Sequence, residues 1–367
     1  MLVLKKSIVL TLWCALSLAG FQTSAEEPDA EGTPPDRYAI PDGDAEELIE
    51  FMRGLARARP LDDEAREKTL AALNEAADRV LAGEATDEQV QAVVELKMSL
   101  LRGQPEQLAA LAEKLAGAGR EQLARRVNGY LLMAELRASM RGPREEALPT
   151  IEKVIGQVSE FLEAGPLAAS DVQLGMMAAQ VAEMAGNEEL ALDVYRNLSR
   201  LTAESEDPRL ADLSKTLDGV VRRLTLVGNP MKIEGTTLAG EAFDWSEYAG
   251  KTVLVDFWAT WCGPCVREIP ALKRLYEAYH EKGFDIIGIS LDRARAPLEE
   301  FVKDRELPWP ILFEDTKRNP VAEYYGVMGI PLMILVGPDG KVVSTRARGQ
   351  ALEEMLEARF GPIVEEP

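Results

Sequence analysis

Two cysteines with two residues between them, Cys262 and Cys265, stand in the segment Trp261-Cys262-Gly263-Pro264-Cys265. A pair so spaced can pass between a dithiol and a disulfide, a two-electron change carried by the side chains themselves. The segment follows the apolar run Val253-Leu254-Val255-Asp256-Phe257-Trp258, which predicts a buried strand. The motif therefore falls where a strand ends and a helix begins. The N-terminus of that helix presents backbone N–H groups and a partial positive charge, which favour the thiolate of Cys262, the nucleophilic form. Pro264 lies near the first turn, where its missing N–H is no loss.

Other uses of the pair are weaker. As a staple it would close a tiny loop and constrain little of the unfolded chain. As a zinc site it would need two further ligands. The single histidine, His280, belongs to the far end of the following helix and reads as a solvated helix residue. No metal and no cofactor is expected, and no triad can be built on one distant histidine. Asp256 interrupts an apolar strand, so burial should raise its pKa and make it a proton acceptor for Cys265. The alternative is an acid held by a structural hydrogen bond and a water channel. Trp258 reads as core. Trp261 reads as a shield over the dithiol with an apolar contact surface.

The chain of 367 residues is 46% apolar and 28% charged, as in soluble globular proteins, and is long enough for two or three domains. Its net charge of −21 excludes nucleic acid as a natural partner. Lys5-Lys6, the apolar stretch Ile8 to Phe21 and Thr23-Ser24-Ala25 form the pattern of an export signal over residues 1–25, cleaved near Ala25. Cys14 would leave with it. An uncleaved membrane anchor is the alternative. The expected location is the periplasm or cell envelope. Residues 26–42, rich in Pro, Gly and acid, read as a disordered linker.

From 43 to 227 the composition is that of helices, dominated by Ala, Leu, Glu and Arg with apolar spacings of three and four. Breaks at Arg59-Pro60, Gly83, Gly103-Gln104-Pro105, Gly117-Ala118-Gly119, Gly142-Pro143, Gly165-Pro166, Gly186-Asn187 and Asp207-Pro208 divide it into about eight helices. One portion, Leu174 to Leu201, resembles a tetratricopeptide-type hairpin, and an irregular bundle is the alternative. From Lys232 onward the texture changes. Strands are expected at Val253–Trp258, Asp285–Leu291, Trp309–Phe313, Leu332–Val336 and Lys341–Thr345, and helices at Cys265–Glu281, Leu298–Glu306, Pro320–Tyr325 and Leu352–Phe360. The fold class is multidomain: an all-α helical domain, then an α/β domain over 232–362 with a parallel start and a closing hairpin at Gly337-Pro338-Asp339-Gly340, hence a mixed sheet.

The run Val255 to Cys265 resembles the thioredoxin fold. With Glu268-Ile269-Pro270, the strand–helix insert from Leu291 to Tyr325 and Val327-Met328-Gly329-Ile330-Pro331, it is similar to the TlpA/ResA-like exported thiol-disulfide oxidoreductases over residues 232–362. The resemblance implies an exposed attacking Cys262, a resolving Cys265 and a redox disulfide between them. It implies a cis Pro331 facing the dithiol, with the backbone of Ile330 pairing with an extended substrate. Trp261, Gly263 and Pro264 would complete the substrate surface. Asp256 matches the buried acid of thioredoxins, where many TlpA/ResA-like members have Asn. Glu268 matches an acid that tunes the thiols, although a carboxylate in the first helical turn also suits the dipole. Gly263-Pro264 is the dipeptide of thioredoxin, whose potential is about −270 mV, so a reductase is implied. Its partners would be a disulfide-bearing protein substrate and a membrane thiol electron donor.

Two other readings compete. A thiol peroxidase of peroxiredoxin type would need a Thr where Ala259 stands and a distant resolving cysteine. Alternatively, the helical region is a binding scaffold for a protein partner and the redox domain an accessory.

Overall fold

The computed structural model describes residues 36–58, 62–141, 144–315 and 319–363. The expected export signal with Cys14 and Ala25, the first part of the linker, and the breaks at Arg59-Pro60 and Gly142-Pro143 lie outside the described residues. Among the described residues, no helix is long and apolar enough to cross a membrane. The described chain divides into two compact units, one ending at Leu100 and one beginning at Leu101.

The first unit holds α1 (Ala45–Arg57), α2 (Asp63–Ala82) and α3 (Asp87–Leu100). Asp44 caps α1 by accepting from the amides of Glu46 and Glu47, and Asp62 caps α2 through Ala65 N. The inner faces join Leu48, Met52, Leu55, Leu73, Ala76, Ala77, Val80 and Val93 in one apolar cluster.

The second unit opens with α4 (Pro105–Gly117), α5 (Glu121–Ser139), α6 (Arg144–Glu163), α7 (Ala169–Ala185), α8 (Glu188–Ala203) and α9 (Pro208–Leu224). The punctuation is local. Pro105 and Pro208 occupy the first positions of their helices, where no N–H is needed. Gly186 ends α7 at φ 78° and Asn187 caps α8 through Leu190 N. Gly175 lets α7 approach its neighbours: a methyl there would stand 2.8 Å from Leu198 and 2.9 Å from Leu162.

A five-stranded sheet follows: β1 (Thr252–Trp258), β2 (Phe284–Ser290), β3 (Ile311–Leu312), β4 (Leu332–Val336) and β5 (Val342–Ser344), in the order β3-β2-β1-β4-β5. β1 is parallel to β2 and β2 to β3, whereas β4 is antiparallel to both β1 and β5, so the sheet is mixed as the sequence implied. The crossovers are α10 (Gly263–Tyr279), α11 (Arg295–Asp304) and α12 (Pro320–Tyr324), and α13 (Gln350–Phe360) closes the chain. β3 is shorter than expected, because Phe313 leaves the ladder and donates instead to Thr236 O. His280 is not freely solvated: it is partly buried, stacked 4.3 Å from the ring of Tyr276, with Nδ1 3.2 Å from Phe284 O.

Alternation along β1 separates two cores. Leu254 and Trp258 join the cluster under α10, with Cys262, Cys265, Ile269 and Leu272. Val253, Val255 and Phe257 join the opposite cluster, with Met231, Ile233, Val321 and Tyr325. The connector after α9 is part of this second layer. It begins against β5, where Gly228 N donates to Val342 O at 2.8 Å and Val342 N to Asn229 O at 2.9 Å. It passes Tyr325, whose hydroxyl accepts from Lys232 N and donates to Lys232 O. It ends against β3, where Leu238 N donates to Ile311 O at 2.7 Å.

Candidate active site

Residues 258–265 form the turn from β1 into α10. Leu291 N donates to Trp258 O at 2.9 Å and Cys262 N to Ala259 O at 3.1 Å. Asp292, just past β2, braces the turn. Its carboxylate accepts from Thr260 N at 3.0 Å, Thr260 Oγ1 at 2.6 Å and Ser290 Oγ at 2.9 Å. Asp292 escaped the reading of the sequence, and its signal would have been an acid directly after an apolar strand parallel to β1.

Cys262 and Cys265 are joined as a disulfide. Cys262 is the N-cap of α10, and Cys265 N donates to its Sγ at 3.2 Å. Gly263 and Pro264 form the first helical positions. The exposed Cys262 that was expected is corrected: only 5% of its surface is accessible, about as little as the 4% of Cys265. The physical reason is packing, since both cysteines belong to the apolar cluster with Trp258, Ala259 and Ile269, and Ile330 packs against it. The large exposed group is Trp261, at 67%. Trp258 is core, 5.7 Å from the ring of Phe301. Gly288 makes room for it, since a methyl there would stand 2.9 Å from Trp258 Nε1.

Asp256 lies on β1 between Gly288 and Met333 of the adjoining strands. By alternation it shares the face of Leu254 and Trp258, which is the face that carries the cysteines. It is buried, and its Oδ1 has no partner among the described residues. Burial pushes its carboxyl up to about 8; the nearby Glu268 adds to this and Arg348 opposes it. Glu268 is held by Arg348 Nε, from the loop between β5 and α13. That partner was also missed, because 80 positions separate the two residues and nothing local links them.

The Ile330–Pro331 peptide bond is cis. Met328, Gly329 and Ile330 precede β4 as a loop, and Met328 and Gly329 are exposed.

The AhpC/TSA family model matches residues 227–345. The thiol-disulfide oxidoreductase ResA of Bacillus thuringiensis subsp. konkukian is 35% identical over 122 residues, which are 33% of this chain and 69% of that protein. The chain belongs to the ResA-like thiol-disulfide oxidoreductases. ResA of Halalkalibacterium halodurans is 34% identical over 123 residues, 33% of this chain and 69% of that one. Among solved structures, the thioredoxin domain of a thiol-disulfide oxidoreductase from Bacteroides vulgatus is 34% identical, with 36% of this chain and 96% of that chain covered and a TM-score of 0.34. A thiol:disulfide interchange protein DsbE of Chlorobium tepidum is 27% identical, covering 35% and 93%, with a TM-score of 0.33. The ResA-like part is thus the C-terminal third, and the chain is a redox enzyme acting on thiols and disulfides.

Proposed function

We propose that the Cys262/Cys265 dithiol reduces disulfides of exported polypeptides through a mixed disulfide on Cys262. The observation that carries this is the placement of Cys262 Sγ at the N-terminus of α10, with Cys265 N donating to it. A sulfur that becomes anionic there is met by a donor and by the positive end of the helix. In the forward reaction the Cys262 thiolate attacks one sulfur of the client disulfide. A mixed disulfide forms and one client thiolate leaves. Cys265 then gives its proton to Asp256 and attacks Cys262 Sγ, releasing the second client thiolate. The client disulfide gains two electrons, and the enzyme dithiol becomes the disulfide that the structure holds. A thiol donor at the membrane would return the enzyme to its dithiol form.

Buried Asp256, on the cysteine-bearing face, supports its role as proton acceptor. Glu268 would tune the same proton transfer, and Arg348 would hold Glu268 in place. The loop at Ile330-Pro331, with Trp261, Gly263 and Pro264, would receive the client backbone beside the dithiol. Residues 1–25 are read as the export signal, 43–227 as the helical domain and 232–362 as the redox domain. The peroxidase reading loses support from Ala259 and from a disulfide that closes within the motif.

The deciding experiment is equilibration of the chain with glutathione buffers, followed by Trp fluorescence. A potential near that of thioredoxin, about −270 mV, is expected. A value at or above that of protein disulfide isomerase, about −180 mV, would make the chain an oxidase or isomerase and overturn the reductase.

A further inference from the structure

Helix α9 reaches the redox site. Its Gly219 lies directly on Gly326 after α12: a methyl at 219 would stand 2.5 Å from Gly326 N, and one at 326 would stand 2.3 Å from Val220 N. Arg222 donates to Tyr324 O and lies over the Tyr324 ring at 4.0 Å. Farther along, Arg346 Nη1 donates to Glu183 O of α7 at 2.8 Å. The connector after α9 is hydrogen-bonded to β5 at Val342. Backbone contact, a cation over a ring and a strand-like connector therefore fix α9 against the redox domain at separate points.

Between α9 and the dithiol end of the domain lies a cleft of about 350 Å³, whose walls include Leu213, Thr216, Trp261, Arg293, Glu323 and Met328. A second hollow of about 500 Å³ shares Trp261, Asp292 and Arg293 with the first. A groove thus passes Trp261, the residue next to Cys262. Leu213, Trp261 and Met328 give it apolar surface, and Arg293 and Glu323 give it charges of both signs. Its lining includes Val327 and Met328, which lead into the loop before β4. A groove beside the reacting cysteine with apolar walls and charges of both signs suits an extended chain carrying apolar side chains.

We propose that α9 is a fixed wall of the client groove, and that Leu213 and Thr216 select extended polypeptide segments carrying apolar residues beside the reacting cysteine. This rests on the reductase reading above. It makes the last helix of the helical region a specificity element of the redox reaction.

The test uses the full chain, reduced, with two substrates bearing the same disulfide. One is a ten-residue peptide with apolar residues around a cysteine capped by thionitrobenzoate, and the other is a three-residue version of it. Release of the chromophore gives kcat/KM for each. Wild type should prefer the longer peptide. Thr216→Trp, which fills the cleft, should lower that preference at least tenfold, through KM. Preference retained in Thr216→Trp, or both substrates slowed in parallel, overturns the role of α9. A second measurement does not depend on how that variant folds. A photo-crosslinking residue at 216, combined with Cys265→Ser to trap the long peptide on Cys262, should crosslink to the trapped peptide. A trapped peptide without a crosslink overturns the proposal. A wild-type chain that releases chromophore from neither peptide overturns the reductase reading itself and, with it, the groove.

Discussion

Asp256 titrates on an unusual scale for a carboxylic acid, and this has consequences for stability and for rate. Its folded pKa of about 8 lies above the unfolded value of about 3.9. Between those values the folded chain holds a proton that the unfolded chain has lost, so stability falls as pH rises, by up to ~1.4 kcal/mol per pH unit. Below the unfolded pKa the penalty is absent, and above the folded one it is complete. Asp256→Asn should therefore be more stable than wild type at pH 8, with the gap closing by pH 4; urea unfolding at the two pH values measures this. If Asp256 also accepts the Cys265 proton, kcat/KM should rise through an inflection near 8 in wild type, and the Asn variant should lack it. An unchanged profile would remove Asp256 from the proton path. Arg348 opposes the upward push on Asp256. In Arg348→Met the unneutralised Glu268 should therefore move the wild-type inflection to higher pH, and a shift downward would contradict the arrangement. At this scale much was legible. The cysteine spacing named the chemistry, and one acid in an apolar strand marked the buried carboxyl of Asp256. The burial of Cys262 was not legible, because the apolar cluster that covers it gathers residues remote in sequence, with Ile330 packed against it.

The elements that carry these residues differ in how much of them is local. The run Thr252–Trp258 and the helix from Gly263 follow from apolar content, glycine and proline, and β4 spans Leu332–Val336 as the sequence predicts. The brace at Asp292 and the seat of α9 come from contacts between segments remote in sequence, which periodicity does not encode. Both can be tested. Asp292→Ala leaves Thr260 N, Thr260 Oγ1 and Ser290 Oγ without their acceptor, so it should cost about 1–3 kcal/mol in denaturant unfolding. It should also slow disulfide turnover by loosening the turn before Cys262; a stable, fully active variant would show that the turn holds without its brace. Gly219→Ala forces a methyl into the Gly326 backbone. The overpacking should cost about 1–3 kcal/mol, whereas the same change at Gly117, which has open space around it, should not.

For the molecule as a whole, the boundary between compact units does not fall where helices give way to strands. The helices from α4 onward share one compact unit with the sheet, and α1 to α3 form another. Composition marks where helices give way to strands, near Gly228-Asn229-Pro230, because amphipathic spacing stops there. It does not mark Leu100 as the end of a unit, since helices continue on both sides with the same residue types. The connector from Val227 to Leu238 lies along β5 at one end and β3 at the other. A sheet's outer strands are open templates for pairing with other chains, and proteins cover or blunt them. Here one stretch of chain, outside the named strands, screens both margins. A shortened chain starting at Lys232 would keep the β3 cover and lose the one on β5. Sedimentation should then show concentration-dependent self-association that a chain starting at Leu226 lacks. The segment that reads as a mere joint between helices and strands would thus be what keeps the redox sheet from sticking to its own kind.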